Sequence, residues 1–320
     1  MTTRHLLLAT VLVFGLPLLL TILFLYVTRS VDAPIVVLVA VQIVTAVIVP
    51  CLVIARVFKT RFIGAVQVWL PTLLAPVPCV IIVLFVLRPF LYGAFVLPIN
   101  SMAPTLIGTH WRGSCPECGA PNYCTPVDSF YGSPDPPRMI CGNFHVTQLP
   151  NVAKLAHFGD RILVAKFLTP QRWDLVVFQY PENPSLVYVD RLVGIPGEEI
   201  LARDGSVWAN GKKLIPPDSL TGINYLSDIP NWYGPETWGS AERPALLGDD
   251  EYFVLGDFSA QSNDSRMWEK GAAGHNPFAV SESHLIGVVT HIYWPLDRWR
   301  IFSLRETLNR KDHVMADSPA

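Results

Sequence analysis

Ser101 is a candidate nucleophile. It lies in residues 98–106, which read PINSMAPTL, and these residues directly follow the apolar N-terminal third of the chain. A serine hydroxyl is a weak nucleophile at neutral pH, and it reacts only when an adjacent base accepts its proton. Hydrolysis at Ser101 would therefore require a second side chain in the fold that acts as this base.

A second group of reactive side chains follows Ser101 in the chain. It has the spacing Cys-x2-Cys-x22-Cys-x3-His, and it consists of Cys115, Cys118, Cys141 and His145. This spacing suits the tetrahedral coordination of zinc in a ribbon or finger. The first pair stands in the sequence CPECG, in which the proline and glycine are typical of a metal knuckle. The pattern therefore predicts a structural zinc site.

Three alternatives for the cysteines stay open. Cys124 competes with His145 as the fourth ligand. The four cysteines of this segment also suit disulfides, because the segment is expected in an oxidising compartment. A third alternative is a ribbon that binds no metal. Cys51 and Cys79 lie in apolar runs and are interpreted as plain apolar residues.

Four segments, taken in order, resemble the sequence boxes of the type I signal peptidases. The segments are residues 98–106 (PINSMAPTL), 159–167 (GDRILVAKF), 172–178 (RWDLVVF) with its continuation at 188–198 (YVDRLVGIPGE), and 256–268 (GDFSAQSNDSRMW). The resemblance implies a membrane-bound serine endopeptidase of the S26 family, with a coiled, sheet-rich catalytic core and a second, inserted β region. It also implies that catalysis uses no cofactor.

The resemblance assigns roles to individual residues. Ser101 matches the nucleophile, and its backbone N–H is the implied oxyanion donor. Asp190 occupies the position at which the family has its general-base lysine. Ser262 matches the serine that supports the base by a hydrogen bond, while Asp264 and Arg266 match a buried acid–base pair.

Asp190 leaves two interpretations open. A carboxylate is a feeble base near its ordinary pKa, but an apolar pocket raises that pKa and makes the group a usable base. In the alternative, the chain keeps the scaffold and carries out little proteolysis. Lys166 does not replace the missing lysine, because family members that keep the catalytic lysine also have a lysine there. The family's usual Asn-Arg after Gly-Asp is Phe258-Ser259 here.

The composition indicates a membrane protein. Of the 320 residues, 51% are hydrophobic and only 16% are charged, and the mean hydropathy is +0.35. The apolar excess is concentrated in residues 6–27, 33–55 and 62–87. Each run reaches the ~20 residues needed to cross a hydrocarbon layer. The sequence therefore predicts three transmembrane helices, the third of them interrupted by prolines.

Loop charges predict the orientation of these helices. The loop between the second and third runs carries Arg56, Lys59 and Arg61, whereas the loop before it has Arg29 offset by Asp32. The positive-inside rule places the richer loop in the cytoplasm. Three crossings then place the rest of the chain on the extracytoplasmic side of the plasma (inner) membrane.

The remaining two thirds of the chain is predicted to be mostly β. Short runs rich in Val, Ile, Tyr, Phe and Trp alternate with turn residues. The predicted strands are residues 175–178, 186–189, 251–255 and 286–293, and residues 200–214 predict a small meander with tight turns at Asp204-Gly205 and Asn210-Gly211. The fold class is thus N-terminal α-helical membrane spans followed by a mostly β, signal-peptidase-like domain.

The predicted domain organisation has three parts. Residues 1–90 form the membrane helices, residues 91–310 form the β domain with a Cys-rich insertion at about 108–158, and residues 311–320 form a disordered tail. Residues 216–247 form a long polar loop within the β domain. A net charge of −2 argues against a nucleic-acid partner.

Two functions are carried forward. The first is a membrane-anchored peptidase that removes signal peptides of exported preproteins after small residues, with the lipid bilayer as its other partner. The second is a catalytically impaired relative that binds exported peptides or a partner protein.

Overall fold

The computed structural model describes residues 44–302 other than 75, 127–136, 150–151, 228 and 230–235, together with Gly15 and Leu19. Apart from Gly15 and Leu19, the predicted first span lies outside the described residues, as do the beginning of the second span and the predicted tail. The chain divides into two compact units, residues 1–87 and residues 88–320.

The first unit is helical where it is described. A π-helical turn, Val44–Ile48, leads into α1 (Val49–Val57), and α2 (Phe62–Leu74) and α3 (Pro76–Ile82) follow, with a second π-helical segment at Val83–Leu91. Helices α1 and α2 pack through Cys51, Ile54, Ala65 and Trp69.

Within the predicted third span, residues 62–87, the described residues belong to α2, α3 and the second π-helical segment. A proline inside a helix removes a backbone hydrogen bond and displaces the preceding turn. Pro71 lies inside α2, Pro76 begins α3, and Pro89 lies in the second π-helical segment. Within the described part of the chain, none of the helices combines the length and the apolar character that crossing a bilayer requires.

The second unit is built from β-strands, as the sequence predicts. Its strands are β1 (Tyr92–Val96), β2 (His110–Ser114), β3 (Pro121–Cys124), β4 (Arg138–Cys141), β5 (Val146–Gln148), β6 (Ala153–His157), β7 (Arg161–Ala165), β8 (Leu175–Tyr180), β9 (Asn183–Gly194), β10 (Glu199–Arg203), β11 (Ser206–Ala209), β12 (Lys212–Lys213), β13 (Ala245–Leu246), β14 (Glu251–Leu255), β15 (Val280–Ser281), β16 (Leu285–Trp294) and β17 (Arg300–Ile301). The helical turns described after residue 91 are short 3-10 turns.

The largest sheet has eight strands and carries the candidate active site. Its order is β1-β7-β16-β8-β9-β14-β15, and β17 pairs with β16. All of its pairings are antiparallel. The four strands predicted from sequence are confirmed as β8, the middle of β9, β14 and β16. An apolar cluster that includes Leu97, Met102, Leu106 and Val289 packs the Ser101 region against this sheet.

The predicted meander is confirmed as part of a four-stranded sheet in the order β12-β11-β10-β13. Asp204 and Gly205 have φ angles of 52° and 72°, and Asn210 and Gly211 have φ angles of 50° and 74°. Two consecutive positive φ angles are the signature of the type I′ hairpin turn, which is why these Asp-Gly and Asn-Gly pairs predict the turns correctly.

The Cys-rich insertion folds as a separate five-stranded antiparallel sheet. Its order is β5-β4-β3-β2-β6. One face of β3 and β4 contributes Cys124 and Met139 to an apolar cluster with Trp111. The neighbouring Ile140 belongs to a different cluster, together with Ala103 of the Ser101 segment. Successive residues of a strand point to opposite faces, so β4 can serve both clusters.

Candidate active site

Ser101 lies on an irregular segment, residues 97–109, between β1 and β2. This segment is held by two Gly-Asp pairs, and the first is Gly159-Asp160. The Asp160 carboxylate accepts a hydrogen bond from the Ile107 N–H at 2.8 Å, and it is paired with Arg298 at 2.7 and 2.8 Å. A Cβ atom added to Gly159 would lie 2.4 Å from the carbonyl oxygen of Leu97. Only glycine allows the two backbones to approach this closely.

The second Gly-Asp pair, Gly256-Asp257, holds the same segment from the other side. A Cβ atom added to Gly256 would lie 2.0 Å from Ser262 Oγ and 2.8 Å from the Ser101 carbonyl oxygen. The Asp257 carboxylate accepts a hydrogen bond from the Thr105 hydroxyl at 2.5 Å. Beyond this pair, the Phe258 N–H donates to the Ser101 carbonyl oxygen at 2.9 Å.

Arg191 completes the second attachment. Its guanidinium donates to Asp257 at 2.7 and 2.6 Å and to the Trp173 carbonyl at 2.7 Å. Arg191 and Asp257 are both nearly fully buried. Sequence reasoning missed the supporting roles of Asp160, Asp257 and Arg191. The signal that could have found them is the Gly-Asp dipeptide that recurs in the second and fourth boxes.

Ser101 and Asp190 line one groove. Its volume is about 270 Å³, and it runs between β1 and β9. Its walls are mainly apolar, with Phe95 and Val96 on one side and Val187 and Val189 on the other. The structure thus brings the predicted nucleophile and the residue at the predicted base position to the same apolar surface.

Asp190 is buried in this groove, and none of the described residues forms an ion pair with it. It is 2% exposed, and its Oδ2 atom accepts no hydrogen bond from the described residues. Burial raises the pKa of Asp190 well above its ordinary value, and the negative charges of Asp264 and Asp257 raise it further against a smaller opposing effect of Arg266. Arg191 is turned towards Asp257, in keeping with the alternation of side chains along a strand.

Three residues of the fourth box differ in their hydrogen bonding: Ser262, Asp264 and Arg266. Asp264 and Arg266 form the expected buried pair, with 2.8 and 2.6 Å hydrogen bonds. Asp264 also accepts the Gly256 N–H at 3.0 Å, so the pair fixes the backbone beside Ser101. Ser262 is buried, but its Oγ atom has no hydrogen-bond partner among the described residues. The expected hydrogen bond from Ser262 to the base is therefore not formed, because Asp190 is shorter than the lysine this serine would support.

Two hydrogen-bond donors near Ser101, one in the backbone and one in a side chain, differ in whether they already have an acceptor. The N–H of Ser101 finds no acceptor among the described residues. The Asn100 side chain, in contrast, is fully engaged: its amide nitrogen donates to the Thr109 carbonyl and the Thr125 hydroxyl, and its oxygen accepts the Gly108 N–H. The Ser101 N–H is thus available to stabilise an oxyanion, and the Asn100 amide is not.

Phe258 and Ser259, which replace the family's Asn-Arg, both make defined contacts in the structure. Phe258 is buried against Ala103 and Ile140, and Ser259 accepts a hydrogen bond from Arg266 at 2.7 Å. Phe258 therefore provides an apolar contact to the inserted sheet. Lys166 points away from the groove, because its ammonium donates to the carbonyls of Arg88 and Pro89. None of the described residues that line the groove is a lysine or a histidine.

The predicted metal ligands also come together. The ligand atoms of four residues lie within 4.8 Å of one another: Cys115, Cys118, Cys141 and His145. Cys124 lies instead in the apolar cluster around Trp111, where burial raises its pKa to about 11. All six cysteines of the chain are free thiols in the structure. The geometry thus groups His145, and not Cys124, with the other three residues.

Comparisons with known proteins agree with the sequence boxes. Residues 139–294 match the family model described as "Signal peptidase, peptidase S26". The matches support the S26 signal peptidase family. The range contains the second, third and fourth boxes, including Asp190, and it begins after Ser101.

Individual relatives are similar over part of their length. Signal peptidase I of Leptolyngbya laminosa is 32% identical over 151 residues, which are 44% of this chain and 63% of that protein. The Rickettsia canadensis signal peptidase I is 29% identical over 160 residues, which are 43% of this chain and 58% of that protein. The chain thus spans less than two thirds of the length of these relatives. A crystal structure of a signal peptidase I from Enterococcus faecalis V583 is 28% identical and covers 38% of this chain and 98% of that one, with a TM-score of 0.28.

The burial of Asp190 predicts how stability depends on pH. The folded protein keeps a proton on Asp190 at pH values where the unfolded chain has lost it, that is, above about 3.8. The free energy of unfolding should therefore fall as the pH rises from about 4 towards the raised pKa, by up to ~1.4 kcal/mol per pH unit. Asp190→Asn should remove this dependence and be more stable than wild type at alkaline pH. Unfolding curves measured across pH check this.

Asp257→Asn is the matched control, because Asp257 is a buried aspartate like Asp190 but is paired with an arginine. It leaves Arg191 buried without its carboxylate, and it should destabilise the protein by about 3–5 kcal/mol at neutral pH. If Asp190→Asn were instead destabilising at alkaline pH, Asp190 would have to be ionised and stabilised by its surroundings.

Proposed function

We propose that this chain is a membrane-anchored serine endopeptidase of the signal peptidase I type, which removes N-terminal signal peptides from exported proteins. The observation that carries the proposal is the apolar groove that contains both Ser101 and Asp190. Ser101 acts as the nucleophile and Asp190 acts as the general base in place of lysine. The similarity to curated signal peptidases supports the substrate class.

The strand arrangement beside the groove supports binding of an extended peptide. Strand β1 is the last strand at one end of the large sheet, and β14 pairs with β9 only from Arg191 onward. Val187 and Val189 of β9 border the groove opposite β1. An extended peptide laid between such strands gains backbone hydrogen bonds, and pockets along the groove select its side chains. The apolar walls favour the small, apolar residues that precede a signal-peptide cleavage site.

The reaction begins when the Asp190 carboxylate accepts the proton of the Ser101 hydroxyl. No hydrogen bond joins Ser101 and Asp190 among the contacts of the structure, so the proton passes through one water molecule or after a rotation of the side chain. Ser101 Oγ attacks the scissile carbonyl carbon, and the Ser101 N–H donates to the resulting oxyanion.

The tetrahedral intermediate then breaks down, and the proton held by Asp190 is transferred to the leaving group. The protonated Asp190 gives its proton to the leaving amine nitrogen as the carbon–nitrogen bond breaks, which leaves an acyl group on Ser101. Water attacks this ester as Asp190 accepts its proton, and Asp190 returns that proton to Ser101 Oγ as the carbon–oxygen bond breaks. The two products are the freed signal peptide and the mature protein.

Only the ionised form of Asp190 can accept the serine proton. Because burial raises the pKa of Asp190, the fraction of protein with the carboxylate is small in acid and grows as the pH rises through that pKa. The rate of cleavage should therefore increase with pH. A base with a raised pKa is also stronger than an ordinary carboxylate once it is ionised.

A catalytically impaired, peptide-binding protein is the second candidate. It is favoured by the missing hydrogen bond between Ser262 and the base position. It is also favoured by the burial of Asp190, which raises the pKa of this carboxyl group and disfavours the ionised form that a base requires. In this reading the groove binds exported peptides, and the inserted sheet serves as a docking module.

Cleavage of a signal-peptide substrate by the purified full chain, followed by mass spectrometry across pH, separates the two candidates. Under the proposal, wild type cleaves and its rate rises with pH. Asp190→Asn and Ser101→Ala abolish cleavage, because one removes the proton acceptor and the other removes the nucleophile. Asp190→Glu retains activity, because a carboxylate stays in the groove.

The second candidate predicts the opposite pattern. Wild type would then be inert at every pH, while Asp190→Lys would gain cleavage that is greatest at alkaline pH, where the lysine is neutral. Cleavage by wild type that survives both Ser101→Ala and Asp190→Asn would show that the active site lies elsewhere.

Membrane anchoring is part of the proposal and rests on the three apolar runs and their loop charges. With the charged loop at residues 56–61 in the cytoplasm, Ser101 and the chain end after Ala320 lie on the extracytoplasmic side. A reporter enzyme that works only in the cytoplasm should be inactive when fused after Ala320. The same reporter fused after Lys59 is the control and should be active. Strong activity of the Ala320 fusion would contradict the orientation.

A further inference from the structure

The four clustered side chains of the inserted sheet are spaced like the corners of a metal tetrahedron. Cys118 Sγ and Cys141 Sγ lie 3.7 Å apart, and Cys115 Sγ lies 3.8 Å from His145 Nδ1. Four ligands at the usual zinc–sulfur distance of about 2.3 Å would have neighbouring atoms about 3.8 Å apart. A disulfide would need its sulfur atoms at about 2.05 Å. The observed separations therefore suit a shared metal ion.

Two tight turns present the ligands. In the first, the Gly119 N–H donates to the Cys115 carbonyl at 2.8 Å, and Gly119 has a φ angle of +70°, which glycine adopts without strain. In the second, the Phe144 N–H donates to the Cys141 carbonyl at 2.9 Å. Phe144 has a φ angle of +61°, which is uncommon for a bulky residue.

The ring of Phe144 packs against the cluster of Ala103, Ile140 and Phe258. In the sequence, Phe144 directly precedes the ligand His145. Ala103 lies two residues after Ser101, and the Phe258 N–H donates to the Ser101 carbonyl. The second ligand turn thus packs against the cluster that contains Ala103 of the Ser101 segment and Phe258, which hydrogen-bonds to that segment.

A second connection runs through β3. Thr125 immediately follows this strand, and its hydroxyl accepts hydrogen bonds at 3.2 Å from both the backbone and the side-chain nitrogen of Asn100. From β4, the Arg138 guanidinium donates to the Ala260 carbonyl at 3.3 Å. The inserted sheet therefore contacts the Ser101 segment at Asn100 and the fourth-box turn at Ala260.

We propose that Cys115, Cys118, Cys141 and His145 bind one structural zinc ion, and that this ion supports the conformation of the Ser101 segment through Phe144 and Ile140. Three cysteines and one histidine form a closed coordination set, which is typical of structural rather than catalytic zinc. Because the structure of a small sheet around such a site depends on the metal, loss of zinc should loosen the sheet and what it supports. The proposal concerns the order of residues 97–109, so it holds or fails independently of whether Ser101 is catalytic.

Metal content of the purified full chain tests the site. Wild type should carry about one zinc per chain. Cys118→Ser and His145→Ala should lose it, and His145→Cys should retain it, because a thiolate replaces the imidazole. Cys79→Ser is the matched control, since Cys79 is an exposed cysteine like Cys118 but lies outside the cluster. Cys124→Ala should also retain zinc if His145 is the fourth ligand.

Hydrogen exchange, measured on wild type before and after zinc is removed with a chelator, tests the support of the Ser101 segment. Zinc removal should increase exchange in the inserted sheet and in residues 97–109. Peptides from residues 280–285 should exchange as before and serve as the internal control, because Val280 and Leu285 belong to an apolar cluster that includes no residue of the inserted sheet or of residues 97–109.

Three results would overturn the proposal. Zinc-free protein with paired cysteines would establish the disulfides, and zinc-free protein with three reactive thiols in the cluster would establish a ribbon without metal. Zinc loss that changes the inserted sheet but leaves residues 97–109 unaffected would remove the supporting role.

Discussion

The segment that carries Ser101 belongs to no sheet, so its position depends on carboxylates from other parts of the chain. Asp160 binds the Ile107 N–H, and Asp257 binds the Thr105 hydroxyl. Each carboxylate is held by an arginine, Arg298 or Arg191, so that its charge is compensated in the protein interior. The glycine before each aspartate allows the backbones to meet. Removing one partner of such a buried pair leaves an uncompensated charge, and for this reason the segment is sensitive to its remote supports.

Asp190 is the exception to this arrangement. Four aspartates in the described part of the chain are at most 2% exposed, and the other three, Asp160, Asp257 and Asp264, are each paired with an arginine. Asp190 has no such partner and faces an apolar groove, which favours the neutral acid. The same burial that disfavours a charged lysine raises the pKa of this carboxyl group and favours its protonated form. The pocket that makes lysine a good base therefore makes aspartate a base only at higher pH.

Much of the site follows from local sequence signals. The Asp-Gly and Asn-Gly turns and the strands rich in apolar residues depend on residues close in the chain, and the structure confirms both. The Cys-x2-Cys knuckle is an equally local signal, and the zinc that it indicates stays a prediction. The partners of Asp160 and Asp257 lie 138 and 66 positions away in Arg298 and Arg191, and no local pattern specifies such pairings.

Other details depend on packing that the sequence does not display. The resemblance predicts a hydrogen bond from Ser262 to the base, but the Ser262 hydroxyl has no partner among the residues that the structure describes. Phe258 stands where the family has a polar residue, and the structure accounts for it by the contact with Ile140 of the inserted sheet. A single sequence gives the composition of the insertion but not the face on which it packs.

The ionisation state of Asp190 is the most direct measure of this account. Infrared difference spectra between the wild-type chain and Asp190→Asn, recorded across pH, isolate the carboxyl stretching band of this one residue. The account predicts a protonated carboxyl band at neutral pH that is absent from Asp190→Asn and that converts to a carboxylate band only as the pH is raised further. A carboxylate band that is already complete in mildly acidic solution would show that Asp190 is ionised in the groove, and would contradict the account.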